Sequence, residues 1–219
     1  MRPRFRHGEG PLALLEGARS DSFGQRYTPT IVDRFGVWLS GRQIRRWVPN
    51  FADQSVGDFG CGYHATFLRS ILPEIQRAVL VDISLAPDLK SNPKISAMEG
   101  VLPDALTGIP SSSLDTVLCV SVLEHLWDPL SALRECHRIV RPGGLCLFNV
   151  PSWRGKRFLE FSAFRLGSSP PSEMNDHKMY YSPRDLWPLL VRAGFLPQDI
   201  QCFSHKFLLN TFAACRRRT

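Results

Sequence analysis

The stretch from Val56 to His64 constrains the fold of this chain more than any other feature. A short apolar run ends at Asp58, and two glycines, Gly60 and Gly62, then alternate with larger residues. An apolar pattern at helical spacing follows directly. A strand, a glycine turn and a helix in this order bring the backbone of an α/β sheet close to a nucleotide-like ligand. The stretch therefore predicts an α/β sheet with a nucleoside site at one edge.

A second carboxylate, Asp82, stands twenty residues after Gly62, where the next apolar run ends. A carboxylate there can accept hydrogen bonds from the two ribose hydroxyls of a nucleoside. Gly60-x-Gly62-x-x-Ala65 also fits the dinucleotide fingerprint, which places a pyrophosphate on a helix N-terminus. Negative charge on Asp58 disfavours a pyrophosphate and favours a cationic ligand. S-adenosylmethionine (SAM) has a ribose, an ammonium and a sulfonium, so the pattern favours SAM over NAD.

Length and composition limit the class of protein. The chain has 219 residues, of which 43% are hydrophobic and 21% charged, as expected for one α/β domain with a sizeable core. No apolar run approaches the roughly 20 residues of a membrane-spanning helix, so we expect a cytoplasmic protein. The net charge of +7 gathers partly at the two ends. No basic region alternates regularly with aromatics, so we expect no nucleic-acid partner.

The six cysteines lie far apart, without a C-x-x-C pair or a Cys/His ligand spacing. Most fall in apolar patterns, where a reduced cysteine behaves as a small hydrophobe. We therefore predict no disulfide framework, no structural zinc and no other metal site.

Strands and helices alternate along the chain, which predicts a doubly wound, mostly parallel sheet. Thr28-Pro29 is predicted to begin the first helix. Arg141-Pro142-Gly143-Gly144 is predicted to stop a helix and to lead into a strand from Leu145 to Val150. Two apolar segments, at about 198–204 and 207–215, predict an antiparallel hairpin.

Four features in register resemble the class I SAM-dependent methyltransferases, in the broad branch that acts on small molecules. They are Asp58 to Gly62, Asp82, the run from Leu114 to Leu126, and Arg141 to Gly144. The resemblance covers about Gln54 to Phe195 and implies a seven-stranded sheet that ends in an antiparallel hairpin strand. It implies an enzyme that moves a methyl group from SAM to an oxygen or nitrogen of a small-molecule or glycan-type acceptor. An NAD-dependent oxidoreductase and a non-catalytic binding or scaffold domain are the alternatives.

The predicted organisation is a single methyltransferase domain over residues 1–219. It comprises an N-terminal extension and helix (1–50), a SAM-binding core (51–150), an insertion or lid for the acceptor (151–181), and a last helix with the terminal hairpin (182–219). The insertion is long for a connection, which is typical of a functional segment.

The resemblance also implies where the cofactor binds. The glycine loop would hold the methionine part, Asp82 the ribose, and the segments after the second and third strands the adenine. The implied cofactor residues are Asp58, Phe59, Gly60, Cys61, Gly62, Asp82, Ile83, Gly100, Val101, Leu102, Ser121 and Val122. His64 replaces the family's usual third glycine, and Val101 replaces a frequent Asp. A backbone carbonyl or Glu99 would then contact the adenine.

The candidate acceptor residues lie mostly outside the shared motifs. His125 follows the strand that would end beside the donor methyl, and its pKa range suits a general base, whereas packing over the cofactor is the alternative. We predict acceptor contacts for Tyr27, His64, His177 and Tyr181. His64 could instead cap a helix, and the last two could tie down a loop.

Aromatic and basic residues alternate between Trp153 and Leu166. We predict that this segment is a lid whose aromatics pack over the site. The alternative is an amphipathic basic helix that contacts an anionic membrane or a lipid-linked substrate. We expect a monomer or a weak dimer.

Overall fold

The computed structural model describes residues 21–156 and 176–218. Its strands are β1 (Ser55–Phe59), β2 (Arg77–Asp82), β3 (Ile95–Glu99), β4 (Leu114–Val120), β5 (Val140–Pro151), β6 (Ile200–His205) and β7 (Asn210–Arg216). They form one seven-stranded sheet in the order β3-β2-β1-β4-β5-β7-β6. Strands β1 to β5 pair in parallel, whereas β7 runs antiparallel to both β5 and β6. The predicted fold class is confirmed.

Helices cover both faces of the sheet. They are α1 (Ile31–Trp47), α2 (Thr66–Ile71), α3 (Pro87–Lys90), α4 (Pro129–Ile139) and α5 (Pro183–Ala193). Ile44 of α1 and Leu68 of α2 belong to the apolar core on one face. Leu133 of α4 and Leu190 of α5 belong to the core on the other face. The sheet is therefore buried on both sides, as its nearly continuous apolar strands indicate.

Helix α1 begins later than its predicted start at Thr28-Pro29. Thr30 is the N-cap residue, and its hydroxyl accepts a hydrogen bond from the backbone N–H of Asp33 at 3.2 Å. The Asp33 carboxylate accepts in return from the Thr30 N–H at 2.8 Å. Thr28 has Ile31 in the corresponding position, which cannot complete such a capping box. The predicted start was therefore wrong by two residues, because only Thr30 has an acidic residue, Asp33, three positions later.

The Arg141–Gly144 motif does not lie between a helix and a strand, as predicted, but within the start of β5. Val140 already pairs with Leu114, and the register shifts between Leu114 and Thr116. A Cβ on Gly144 would come within 2.7 Å of the carbonyl oxygen of Asp115. The close approach of two strands, rather than a turn, therefore requires this glycine.

The segment after β5 packs against the turn between β6 and β7. The backbone N–H of Ser152 donates to the carbonyl of Leu209 at 2.9 Å. A Cβ on Gly155 would lie 2.1 Å from the same carbonyl oxygen. Residues 157–175 fall outside the described part of the chain, so the two interpretations of 153–166, a lid or a membrane contact, stay predictions. In residues 21–156 and 176–218 no helix is long and apolar enough to cross a membrane.

Candidate active site

A cavity of about 490 Å³ opens where β1 and β4 end. These two strands are neighbours in the sheet although they are not consecutive in the chain, so the cavity lies at the point where the strand order reverses. Ligands of open α/β sheets bind at such points, outside the carboxyl ends of the strands. The lining combines the loop after β1, the end of β4, the first half of α1 and the turn between β6 and β7.

The glycine loop needs both of its glycines for steric and conformational reasons. Gly60 and Gly62 each have a φ of 74°, in the left-handed region. A Cβ on Gly60 would lie 2.2 Å from a methyl carbon of Val122, and one on Gly62 would lie 3.3 Å from the carbonyl oxygen of Phe23. Gly60, Cys61 and Gly62 all line the cavity. The loop backbone is therefore packed against Val122 and Phe23 and also borders the cavity, where a ligand can approach it.

Asp58 lies at the floor of the cavity and is 6% exposed. Burial, and secondly the negative charge of Asp82, raise the pKa of its carboxyl group to about 7. A cationic ligand would stabilise the ionised form and lower that pKa. Asp58 was expected to be ionised, but in the folded chain its charge depends on pH near neutrality.

Asp82 lies where β2 ends and is 9% exposed. Its carboxylate accepts hydrogen bonds from the backbone N–H groups of Gly62 at 2.7 Å and Ile83 at 2.8 Å. The hydroxyl of Ser22 donates to the same carboxylate, on the oxygen that Ile83 also contacts. A serine hydroxyl from the N-terminal segment therefore occupies the carboxylate that we assign to the ribose. The sequence carries no signal for this contact across 60 residues.

The residues predicted near the adenine lie beside Asp82 but outside the lining of this cavity. The backbone N–H of Gly100 donates to the carbonyl of Asp82 at 2.9 Å. Val101 is 56% exposed, and Leu102 packs against the core. The Glu99 carboxylate accepts from the Leu85 N–H at 2.8 Å and from Lys90 at 3.0 Å. Glu99 is thus engaged in holding the β2–α3 connection.

Three further predicted cofactor residues serve the site in different ways. Phe59 is fully buried and Val122 is 6% exposed, and both belong to the apolar core behind the loop. Ser121 lines the cavity with a φ of 57°, and its N–H donates to the carbonyl of Asn149 at 2.7 Å. Phe59 and Val122 therefore support the loop from behind, and Ser121 faces the ligand space.

Two histidines and two acids meet on one wall of the cavity. Glu124, His125 and His177 all line it. Nδ1 of His125 lies 2.9 Å from a carboxylate oxygen of Asp176, whose other oxygen accepts from Lys178 at 2.8 Å. The ring centroids of His125 and His177 are 4.8 Å apart. The fold therefore places His177 beside His125, although 52 residues separate them in the chain.

Lys206 was missed in the sequence and lines the same cavity. Burial lowers the pKa of its amine to about 8, while the charge of Glu124 acts in the opposite direction. Lys206, Phe207 and Leu208 have consecutive φ values of 47°, 57° and 70°. A lysine in a predicted hairpin gives no sign that its side chain enters a cavity.

The structure places the other predicted acceptor residues away from the lining. Tyr181 is 2% exposed, and its hydroxyl donates to the carbonyl of Leu123 at 3.3 Å, so it is a core residue and its predicted acceptor role is wrong. His64 is exposed, outside the lining, and its side chain does not cap α2. Tyr27 packs edge-on against Phe23, which does line the cavity, with ring centroids 5.6 Å apart.

Comparisons with known proteins agree with this geometry. The sequence model of a methyltransferase domain family matches residues 33–198. The chain belongs to this methyltransferase family. A relative from Mycobacterium tuberculosis, named a probable S-adenosylmethionine-dependent methyltransferase, is 26% identical over 89% of this chain and 69% of its own. A ubiquinone biosynthesis O-methyltransferase of Pseudomonas syringae is 29% identical over 69% of this chain and 68% of its own.

Solved structures show the same fold for this methyltransferase. A SAM-dependent methyltransferase from Archaeoglobus fulgidus superposes with a TM-score of 0.59 at 19% identity, over 82% of this chain and 94% of its own. A Haemonchus contortus phosphoethanolamine N-methyltransferase in complex with SAM superposes with a TM-score of 0.64 at 14% identity. The superposition covers 83% of this chain and 53% of that one. The chain is a class I SAM-dependent methyltransferase, and both the NAD-dependent and the non-catalytic alternatives were wrong.

The residues of the site fit this cofactor. The methyltransferase presents a glycine loop in which a Cβ would clash, the Asp58 carboxylate beside that loop in the cavity, and the Asp82 carboxylate at the end of β2. These groups complement a ligand with an ammonium, a sulfonium and a ribose.

Proposed function

We propose that the methyltransferase transfers the methyl group of SAM to an oxygen or nitrogen of a small-molecule or glycan-type acceptor held in the 490 Å³ cavity. The observation that carries this proposal is the placement of His125 and His177 in the same cavity as Asp58 and Gly60. Donor-binding groups and groups able to handle an acceptor proton thus share one space.

The donor side of the proposal assigns one task to each group. Asp58 attracts the ammonium of the methionine part, the loop from Gly60 to Gly62 lies against it, and Asp82 accepts from the ribose. SAM supplies an already activated methyl group on its sulfonium. The chain has to align the acceptor atom with the methyl carbon and sulfur and to exclude water. Such alignment can contribute about 7–11 kcal/mol to lowering the barrier.

On the acceptor side, His125 accepts the proton that the acceptor loses. Nδ1 of His125 pairs with Asp176 at 2.9 Å, and in the tautomer with the proton on Nδ1 the lone pair lies on Nε2. Nε2 can then accept the proton of an acceptor hydroxyl while the oxygen attacks the methyl carbon. Asp176 is a positioning residue, since it acts through His125. A general base of this kind typically contributes about 10²–10⁴-fold to the rate.

An oxygen acceptor is supported by the O-methyltransferase name of the Pseudomonas relative, which is 29% identical. The largely apolar first half of α1 supports an acceptor with an apolar part, since Val32 and Phe35 belong to the lining. We further propose that the protein acts as a monomer or weak dimer without a nucleic-acid partner. Its cytoplasmic location and its division into segments 1–50, 51–150, 151–181 and 182–219 stay part of the same proposal.

Calorimetry with SAM and with S-adenosylhomocysteine tests the donor assignment. We expect both to bind, and Asp82→Ala to weaken both because the ribose contacts are lost. Asp88→Ala is the matched control, because Asp88 is exposed and pairs with Arg69 outside the cavity. Binding by neither compound would refute the proposal, and equal affinity in Asp82→Ala would refute the ribose assignment. A screen of phenolic, sugar and amine acceptors with labelled SAM then identifies the acceptor class.

A further inference from the structure

Three side chains that commonly bind metals converge on the cavity wall. One ligand atom each of Glu124, His125 and His177 lies within 4.8 Å of the others. Glu124 is 1% exposed, and the two histidines are half-buried. Two imidazoles and a carboxylate make a donor set that suits Zn²⁺, Mn²⁺, Fe²⁺ or Co²⁺ better than Ca²⁺ or Mg²⁺. The spacing of these residues in the sequence gave no such indication, and no metal site was predicted.

The groups behind His125 resemble the outer shell of a metal site. Nδ1 of His125 lies 2.9 Å from the Asp176 carboxylate, which is itself held by Lys178 at 2.8 Å. Metal-binding histidines commonly donate their other N–H to a carboxylate, which orients the ring and makes the ligating nitrogen more basic. The arrangement therefore presents Nε2 of His125 as the ligating atom.

His177 is oriented in the same manner by a different partner. Its Nδ1 lies 3.0 Å from the hydroxyl oxygen of Tyr180. When Nδ1–H is the donor in this contact, Nε2 carries the lone pair. The two imidazole rings meet at an interplanar angle of 61° with their centroids 4.8 Å apart. Two rings with partnered Nδ1 atoms thus lie edge to face beside one carboxylate.

We propose that Glu124, His125 and His177 bind one divalent transition-metal cation. Metal–ligand bonds of about 2.0–2.2 Å require the three ligand atoms to approach one another by a small rotation of the side chains. All three residues line the cavity, so the remaining coordination positions face the acceptor space. Three protein ligands with an open position are typical of catalytic rather than structural metal sites.

Charge balance supports a cation at this place. A buried carboxylate such as Glu124 is stable only with a compensating charge nearby. Lys206 lines the same cavity, and its positive charge interacts favourably with Glu124. A divalent cation would compensate the carboxylate directly and would compete with the Lys206 ammonium for it.

The role of this metal site in the reaction rests on the proposed methyl transfer. The cation would activate the acceptor for that transfer. A hydroxyl oxygen bound to the cation has a lowered pKa and releases its proton to water. A lone pair of that oxygen forms the new bond to the methyl carbon, and the pair of the breaking carbon–sulfur bond goes to sulfur, which leaves S-adenosylhomocysteine. In the loaded site the cation thus replaces His125 as the activating group.

Metal binding can be measured without any turnover. The full-length chain without an affinity tag is treated with chelator and titrated with Co²⁺, followed by visible absorbance, and then with Zn²⁺ in competition. We expect one cation per chain. Glu124→Gln and His177→Asn should each weaken binding at least about tenfold, because each removes a ligand; Asp176→Asn should weaken it about 10–100-fold through the orientation of His125.

His137→Asn is the matched control, because His137 packs against Phe195 away from the cavity and should bind Co²⁺ as the wild type does. Circular dichroism establishes that each variant is folded. Absence of stoichiometric binding to the wild type, or wild-type affinity in both ligand variants, overturns the metal site. SAM calorimetry on the same samples separates the two proposals. If SAM binds and the metal does not, only the metal site is refuted. If the metal binds and SAM does not, only the donor assignment is refuted.

Discussion

The two sides of the cavity, which we propose to bind donor and acceptor, are built in different ways. On the donor side, the loop from Asp58 to Gly62 is a continuous segment whose shape depends on two glycines and on one hydrogen bond to Asp82. On the acceptor side, the wall joins α1, His177 and Lys206, which lie far apart in the chain. The comparison teaches that local backbone geometry determines the donor side, whereas tertiary packing determines the acceptor side.

Substitution of a loop glycine should have the largest effect if this comparison holds. Gly60→Ala combines a left-handed φ with a Cβ 2.2 Å from Val122, and we expect loss of SAM binding and a destabilisation of about 2–4 kcal/mol. Gly143→Ala is the matched control, because its φ of 81° is similar but no atom lies within 4 Å of its Cβ. Calorimetry and thermal unfolding check both variants. If Gly60→Ala and Gly143→Ala had the same SAM affinity and the same stability, the claim that a Cβ at Gly60 clashes with Val122 would be contradicted.

Substitution on the acceptor side should lower turnover and spare donor binding. We expect His125→Asn to lower kcat by about 10²–10⁴-fold, with the Kd for SAM unchanged, whether His125 acts as a base or as a metal ligand. Steady-state kinetics with an identified acceptor measure the first quantity and calorimetry the second. A parallel loss of SAM affinity would show that the two sides are not separable.

The pH dependence of SAM binding should report on Asp58. Because its pKa in the folded chain is raised to about 7, the protonated carboxyl predominates below that pH and attracts a cation weakly. SAM affinity should therefore rise by up to about tenfold between pH 6 and 7.5. The same raised pKa makes Asp58 a stabilising group at low pH, and its contribution is lost as the pH rises through about 7.

Asp58→Asn should flatten the pH dependence of SAM affinity and that of stability. Calorimetry and thermal unfolding at several pH values measure the two quantities. Asp88→Asn, at an exposed position, should leave them unchanged. A SAM affinity that falls with rising pH in the wild type would contradict the assignment of Asp58 to the ammonium.

The smallest expected effect concerns Ser22. Its hydroxyl donates to Asp82 and accepts from the Ser84 N–H at 2.7 Å, so a ribose must displace or share this contact. Ser22→Ala should tighten SAM binding by a few-fold, since the ribose hydroxyls no longer compete with the Ser22 hydroxyl for the Asp82 carboxylate. Ser91→Ala, an exposed serine, serves as the control. Weaker binding in Ser22→Ala would instead show that Ser22 helps to hold the cofactor.

The sequence was sufficient for the fold class and for the strand, glycine turn and helix around Gly60 and Gly62, because these follow from the alternation of apolar runs and from turn residues. Asp82 could be placed from one apolar run and its distance to Gly62. The start of α1 was misplaced, since Thr28 and Thr30 are distinguished only by the acid at Asp33. Lys206 and the Ser22–Asp82 contact could not be found, because both depend on how distant segments pack.

The turn at Lys206, Phe207 and Leu208 has a consequence for the stability of this enzyme. Three successive non-glycine residues in the left-handed region cost of order 1 kcal/mol or more each, in a protein whose total stability is about 5–15 kcal/mol. Glycine at the 81% exposed Phe207 would relieve part of that strain. The strained turn is also the segment that places Lys206 in the cavity lining. A stabilising glycine in this turn could therefore release Lys206 from the cavity.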